Sequence, residues 1–233
     1  MTWRDAVLAT ALGATCVGCS RPGRPWCRQC SEDLQARVDP RELGTDPLVV
    51  ACSGYADVLP AAIVAFKDRG VRALRPQLGA VLAVGLIAVV QDLGPAAVVP
   101  VPSAPAAVRR RGFDHMAQLA RHAAGLAGLE CRSVLRASRR RDQAGLGFAA
   151  RRRNLAGTVR VAGGSGAVIL VDDVRTSGAT LTECDGVLRR GGYTPLAHVV
   201  IAAAMPDPPC GVDRERVSVN CSTGVAQKED CRE

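Results

Sequence analysis

Aromatic residues make up only 3% of the 233-residue chain: three Phe, two Trp and two Tyr. A core of stacked rings is therefore excluded, and the 48% of hydrophobic residues must pack through Ala, Val and Leu. Small side chains of that kind favour a sheet covered by closely packed helices. Scarce rings also leave few platforms on which nucleobases can stack. Lysine is nearly absent: Lys67 and Lys228 are the only two, so 28 of the 30 basic residues are arginine in a chain of net charge +8. Arginine offers a planar fork of donors that suits phosphate oxygens. Heavy use of Arg and Ala also follows from genome composition alone, which explains the overall charge better than the runs at 109–111, 139–141 and 151–153. No apolar run approaches the roughly 20 residues of a membrane-spanning helix. The longest, 78–90, has 13 residues and reads as a buried core helix, so no membrane insertion is expected. Arg4 is offset by Asp5 ahead of a mildly apolar stretch, which makes a poor export signal, and 13–16 make a poor lipoprotein site. There is no internal repeat.

Cysteine, by contrast, is plentiful, with ten residues. Cys52, Cys131, Cys184, Cys210, Cys221 and Cys231 are scattered without metal spacing. A disulfide scaffold does not fit so long and apolar a chain, and reduced thiols point to a cytoplasmic setting. The remaining four form two C-x-x-C pairs, Cys16/Cys19 and Cys27/Cys30, separated by a seven-residue loop holding Pro22, Gly23 and Pro25. Four thiolates in one knuckle suit a tetrahedral structural zinc. A redox pair or an iron–sulfur cluster are the alternatives. An all-cysteine site is closed and not catalytic; its role is to fix a surface, which Arg21, Arg24 and Arg28 make basic.

Periodicity organises the rest. Residues 1–15 read as a short amphipathic helix and 31–47 as a polar linker, giving an N-terminal zinc-binding segment and linker over 1–47. The main domain spans 48–205. Within it, strands are expected at 48–55, 97–101, 167–171 and 197–203, and helices at 58–69, 74–90, 116–125 and 180–190. Strand, helix, strand in succession is a βαβ unit and implies an α/β fold with a parallel sheet flanked by helices. Residues 206–233, rich in Pro, Asp, Glu and Arg, read as a disordered tail.

The sharpest chemistry lies in Val171-Asp172-Asp173-Val174-Arg175-Thr176-Ser177-Gly178-Ala179-Thr180. The apolar run before it delivers the chain to the carboxyl end of the sheet, where open α/β sheets bind ligands. Two adjacent carboxylates are costly to bury without partners, and ribose hydroxyls are suitable donors. The following loop opens a helix whose free N–H groups and dipole attract an anion. Gly178 permits close approach, and Thr176, Ser177 and Thr180 add hydroxyls. Acids for a sugar and amides for its phosphate, a few residues apart, match one phosphorylated ribose. An ordinary helix cap needs one acid and no ring of hydroxyls.

This segment resembles the 5-phosphoribosyl-1-pyrophosphate (PRPP) signature of type I phosphoribosyltransferases. The agreement extends to Val98-Val99-Pro100-Val101-Pro102, Arg109-Arg110-Arg111-Gly112-Phe113, Gln118-Leu119-Ala120, Arg141-Asp142-Gln143 and Arg153-Asn154-Leu155-Ala156-Gly157. With Tyr55, Phe66-Lys67 and the N-terminal cysteines, about 7–204 is similar to the ComF family, in which a small zinc-binding segment precedes a phosphoribosyltransferase-like domain and relatives act in natural competence. The resemblance implies that Asp172 and Asp173 hold the ribose hydroxyls and that Thr176, Ser177, Gly178, Ala179 and Thr180 hold the 5-phosphate. It implies that Arg109 and Arg111, in the loop after the Val-Pro-Val-Pro strand, face the pyrophosphate. It also implies that 138–154 is a mobile loop contributing Arg141, Gln143 and Arg153. Magnesium would arrive on the PRPP oxygens. Asp114-His115 stands where relatives often have Asn-Gln, and Arg175 interrupts the phosphate loop, so neither carries a transferred role.

Two functions follow from the resemblance. One is transfer of the phosphoribosyl group from PRPP to a nitrogenous acceptor, with a pocket near residues 55–66 and no evident general base. The other is a non-catalytic competence factor that binds single-stranded DNA in the uptake machinery and uses the PRPP fold as a sensor or a nucleotide site. A homo-oligomer is compatible with either.

Overall fold

The computed structural model describes residues 13–45, 47–137 and 159–203. A helix α1 (Arg28–Gln35) follows the cysteine knuckle and leads into strands β1 (Arg41–Thr45) and β2 (Leu48–Gly54). Helix α2 (Leu59–Lys67), a 3-10 turn (Arg72–Leu74) and the long α3 (Arg75–Leu93) precede β3 (Ala97–Pro100). Then come α4 (Pro105–Arg111), α5 (His115–Ala127), β4 (Leu135–Ala137), β5 (Val159–Val161), β6 (Gly166–Arg175), α6 (Ala179–Arg190) and β7 (Tyr193–Ala203).

The main sheet runs β1-β2-β7-β6-β3. β2, β7, β6 and β3 are mutually parallel, and β1 adds an antiparallel edge. The interior strand β6 explains the continuous apolar run in the sequence. Val168, Ile169, Leu170 and Val171 have no exposed surface because β6 is covered on both faces. Alternation sorts them. Ile169 and Val171 meet α3 and α5 with Val98 and Val199, whereas Val168 and Leu170 meet α6 with Val99, Leu135 and Val200. β4 and β5 pair with each other as a small second sheet at the margin of this second layer.

The 13-residue apolar run falls in α3, the one described helix long and apolar enough to cross a membrane. Leu78, Leu82 and Leu86 are fully buried in the core, as expected of a core helix. Small residues set how close α3 lies to the sheet. A Cβ on Gly85 would stand 2.5 Å from Cys52 Sγ and 2.7 Å from Val199 Cγ1.

Three local expectations need correction. Residues 31–47 are not a bare linker: they hold most of α1, and β1, which pairs with β2 from Arg41↔Ala51 to Thr45↔Leu48. Polar composition hid this edge strand, which is exposed at four of its five positions. β6 continues four residues beyond Val171, so Asp172 and Asp173 belong to the strand and the turn is confined to 176–178. β7 likewise starts at Tyr193, because a ladder from Gly166↔Tyr193 onward carries it alongside β6. The expected tail at 206–233 and most of the expected helix at 1–15 lie outside the described residues.

Two substitutions separate packing from helix propensity. Gly85→Ala is expected to lower unfolding free energy in urea by about 1–3 kcal/mol through overpacking. Gly125→Ala, exposed on α5 with nothing within 4 Å of an added Cβ, should raise it by about 0.5–1 kcal/mol.

Candidate functional site

Strand alternation sends the two adjacent acids to opposite faces of β6. Asp173 shares the face of Ile169 and Val171, toward α2 and α5, and is 4% exposed. Its Oδ2 accepts from Lys67 Nζ at 2.7 Å and lies 3.1 Å from His115 Nε2, and its Oδ1 accepts from the Val174 amide at 2.8 Å. Burial by itself would raise the pKa of this carboxyl. The His115 bond and the Lys67 charge outweigh it and hold the group well below the usual carboxylate range. Asp172, on the α6 face, remains partly exposed, and its Oδ1 accepts only the Asp173 amide at 2.9 Å. Desolvation, and then the negative charge of Asp173, push its carboxyl up to about 7.

The turn beyond β6 is open in the way an anion requires. Gly178 adopts φ +72°, a left-handed conformation that side-chain-bearing residues avoid, and caps α6 without any side-chain hydrogen bond. Ser177 Oγ is 3.4 Å from the Ala179 amide, and Thr176, Ser177 and Thr180 are exposed. Arg175 folds back over the turn, its Nε 3.3 Å from where a Gly178 Cβ would lie. The guanidinium that interrupts the signature thus adds positive charge beside the helix N-terminus.

Arg109 and Arg111 lie not in a loop but in the last turn of α4, which the left-handed Gly112 ends. Pro105 at the start of α4 disguised this short helix, although proline at a first turn is a helix signal. Arg109 is exposed, whereas Arg111 Nη1 donates to the Lys67 carbonyl at 3.4 Å and its Nε is buried without a partner. Arg141, Gln143 and Arg153 lie outside the described residues.

Sequence reasoning passed over Lys67, His115 and Ser103, which complete a network around Asp173. Ser103 Oγ donates to Asp114 Oδ1 at 2.8 Å and lies 3.1 Å from His115 Nδ1, while Asp114 also caps α5 through the Ala117 amide. The one available signal was the cost of burying Asp173, which demanded a cation from elsewhere in the chain.

At the N-terminal segment, Cys16, Cys19, Cys27 and Cys30 bring their sulfurs within 4.8 Å of one another. The Cys16–Cys30 and Cys19–Cys27 pairs stand 3.7 and 3.6 Å apart. Zinc–sulfur bonds of about 2.3 Å at tetrahedral angles require roughly 3.8 Å between sulfurs. The cluster therefore fits a structural zinc. The Cys27 amide donates to Cys16 Sγ and the Cys30 amide to Cys27 Sγ. Burial opposes ionisation of Cys16, but backbone N–H donors outweigh it and bring the thiol to about 7. Burial and neighbouring sulfurs raise Cys30, so four thiolates coexist only with a cation between them. Trp26 is 7% exposed and packs into the core, so it is not a stacking platform on this basic surface. Among the described residues all seven cysteines are free of disulfides.

Purified protein is expected to carry about one zinc per chain by elemental analysis. Chelation, or Cys16→Ser, should lower the melting temperature and expose the Trp26 side of the core, read as a red shift in fluorescence. Full retention of stability without metal is the opposing outcome.

No protein-family model matches the sequence, and no curated protein matches it. Solved structures do. The chain is similar to a glutamine PRPP amidotransferase from B. subtilis complexed with ADP and GMP, at 23% identity and a TM-score of 0.37, over 56% of this chain and 26% of that one. It is similar to an orotate phosphoribosyltransferase from Aeropyrum pernix at 17% identity and a TM-score of 0.36, over 76% and 82% of the two chains. An adenine phosphoribosyltransferase from Saccharomyces cerevisiae gives 15% identity and a TM-score of 0.39, over 74% and 87%. The chain spans about a quarter of the length of the first two structures it matches.

Proposed function

We propose that this chain is a ComF-like member of the phosphoribosyltransferase group that binds the magnesium complex of PRPP at the carboxyl end of β6 and transfers its phosphoribosyl group to a nitrogenous acceptor. The observation that carries the proposal is the uncapped N-terminus of α6. It is ringed by Thr176, Ser177 and Thr180, overlain by Arg175, and follows directly on the open carboxylate of Asp172. In this assignment the 5-phosphate takes the amides of Ala179 and Thr180, and the ribose hydroxyls donate to Asp172. Asp173, its oxygens already bonded, acts through Lys67 and His115. Arg109 and Arg111 supply the pyrophosphate side, since Arg111 is tied to the Lys67 carbonyl and keeps an unmatched donor.

The acceptor has a candidate place. A cavity of about 340 Å³ lies at the carboxyl end of β2, lined by Arg37, Asp39, Arg41, Ser53, Asp57 and Leu59 among others. Gly54 of β2, Ala203 of β7 and Arg175 of β6 are aligned across the sheet, so this cavity and the phosphate turn share one edge. Departure of pyrophosphate leaves a cationic sugar carbon, and the chain's part is positioning and charge stabilisation.

Calorimetric titration of MgPRPP tests the assignment. Asp172→Asn is expected to weaken binding at least tenfold, because it removes the negative charge and replaces one acceptor oxygen by a donor NH2. Unchanged affinity would place the sugar elsewhere. Pyrophosphate release on adding nitrogenous acceptors tests transfer separately from binding.

The raised pKa of Asp172 fixes a pH dependence. Ribose hydroxyls favour the ionised carboxylate, so affinity should fall as pH drops through about 7, with a proton released on binding near that pH. For stability the sign is opposite. A carboxyl whose folded pKa lies above its unfolded value favours the fold at low pH and loses that contribution as pH rises through about 7. Asp172→Asn should therefore stabilise the ligand-free protein at pH 8 by about 1–2 kcal/mol, an amount discounted for the solvent that its partly exposed side chain retains.

A further inference from the structure

The hydrogen bonds around His115 leave one proton to be placed. Ser103 has a single hydroxyl proton and two close partners, Asp114 Oδ1 at 2.8 Å and His115 Nδ1 at 3.1 Å. Asp114 already accepts from the Ala117 amide, as an ionised helix cap does. If the Ser103 proton serves Asp114, then Ser103 must accept from a protonated Nδ1. On the other side of the ring, Nε2 faces the Oδ2 of Asp173, which accepts at that same atom from Lys67. An unprotonated Nε2 would set a lone pair against a carboxylate, so Nε2 carries a hydrogen too. A neutral ring satisfies only one of these two contacts. The alternative position for the extra proton, on Asp114, would forfeit the charge that caps α5.

The charges close around this assignment. The groups facing His115 are Asp114 on its own helix, Asp173 on β6, Lys67 at the end of α2 and the uncharged Ser103 after β3. Asp172 lies beyond Asp173 on the opposite face of β6, and Arg111 reaches the Lys67 carbonyl. Lys67 and His115 meet on one oxygen of Asp173. His115 has 7% of its side chain exposed and cannot leave, whereas the Lys67 side chain is 38% exposed at the mouth of the site.

We propose that His115 is a positioning residue: doubly protonated between Ser103 and Asp173, it neutralises Asp173 and so frees the Lys67 ammonium to bind a phosphate oxygen of the incoming ligand. This rests on the proposed function only for the identity of the ligand. With His115 neutral, Asp173 keeps Lys67 and the site loses one usable positive charge.

Two measurements on the full chain test it. Nitrogen-15 spectra of the His115 ring, assigned against His115→Gln, are expected to show hydrogen on both nitrogens at pH 7. One bare nitrogen overturns the inference. Titration with inorganic pyrophosphate is expected to show roughly tenfold weaker binding for His115→Gln and for Lys67→Met. Thermal melts establish that each variant is folded, and Lys67→Arg should restore most of the affinity. Doubly protonated His115 without pyrophosphate binding by the wild type overturns the proposed function and with it the role of Lys67. Binding with a neutral His115, or a His115→Gln variant that keeps full affinity, overturns this inference and leaves the proposed function standing.

Discussion

A carboxylate placed at the end of a buried parallel strand has to be compensated, and much of the site follows from how Asp173 is compensated. An unpaired charge at 4% exposure would cost several kcal/mol. The chain supplies Lys67 from the last turn of α2 and His115 from the first turn of α5, two elements separated by 48 residues of sequence, and both meet on one oxygen of β6. That contact fixes where α2 ends and α5 begins relative to the sheet edge. Arg111 is drawn in through the Lys67 carbonyl, and Ser103 and Asp114 through the far side of the His115 ring. Breaking one partner of such a cluster costs more than the cluster contributes as a whole, because the others are left buried and unmatched.

The cysteine knuckle solves a different problem. Residues 13–27 contain too few apolar side chains to form a core of their own, yet Cys16, Trp26, Cys30 and Leu34 share the core that holds α2 and α3. Tethering four sulfurs within one small space lets a short polar segment present Trp26 and Leu34 to that core without a sheet or long helix beneath them. Gly18 shows how tight the tether is: a Cβ there would lie 2.8 Å from Cys30 Sγ. Knuckle, α1 and the edge strand β1 therefore reach the sheet together, and the cavity bounded by Arg37, Arg41 and Ser53 exists because they do.

What the sequence disclosed and withheld follows from the range of the forces involved. β6, α3 and α6 were legible because local patterns decide them: a continuous apolar run, a long apolar stretch, a Gly-Gly stop after Arg190. The parallel sheet followed from their order. The cysteines were legible because their spacing is itself the geometry. β1 was not, since an edge strand with one neighbour needs no apolar face, and its ladder with β2 is what makes it a strand. The pairing of Asp173 with His115 was not legible either, because 58 residues separate them and nothing local to either reveals the other. The adjacent acids looked like a matched pair in one dimension. The two-residue period of the strand divides them between faces, a consequence visible only once β6 is known to run through Arg175.

That division gives two neighbouring residues opposite electrostatic fates. Asp173 faces Lys67 and the His115 ring and stays charged; Asp172 faces the α6 layer with no cation bonded to it, and desolvation, then the charge beside it, push its carboxyl up to about 7. An acid poised in this way responds to whatever donor or cation arrives next, whereas its neighbour cannot. The strain of keeping Asp172 unpaired is borne by the rest of the fold, as functional groups commonly require. It lies where a ligand would relieve it, directly before a turn whose amides have no cap. The acid, bonded to one backbone amide alone, and the helix N-terminus whose cap residue offers no side chain are separated by a few residues of one chain, and the proposed ligand, with hydroxyls and a phosphate, is one that could meet both.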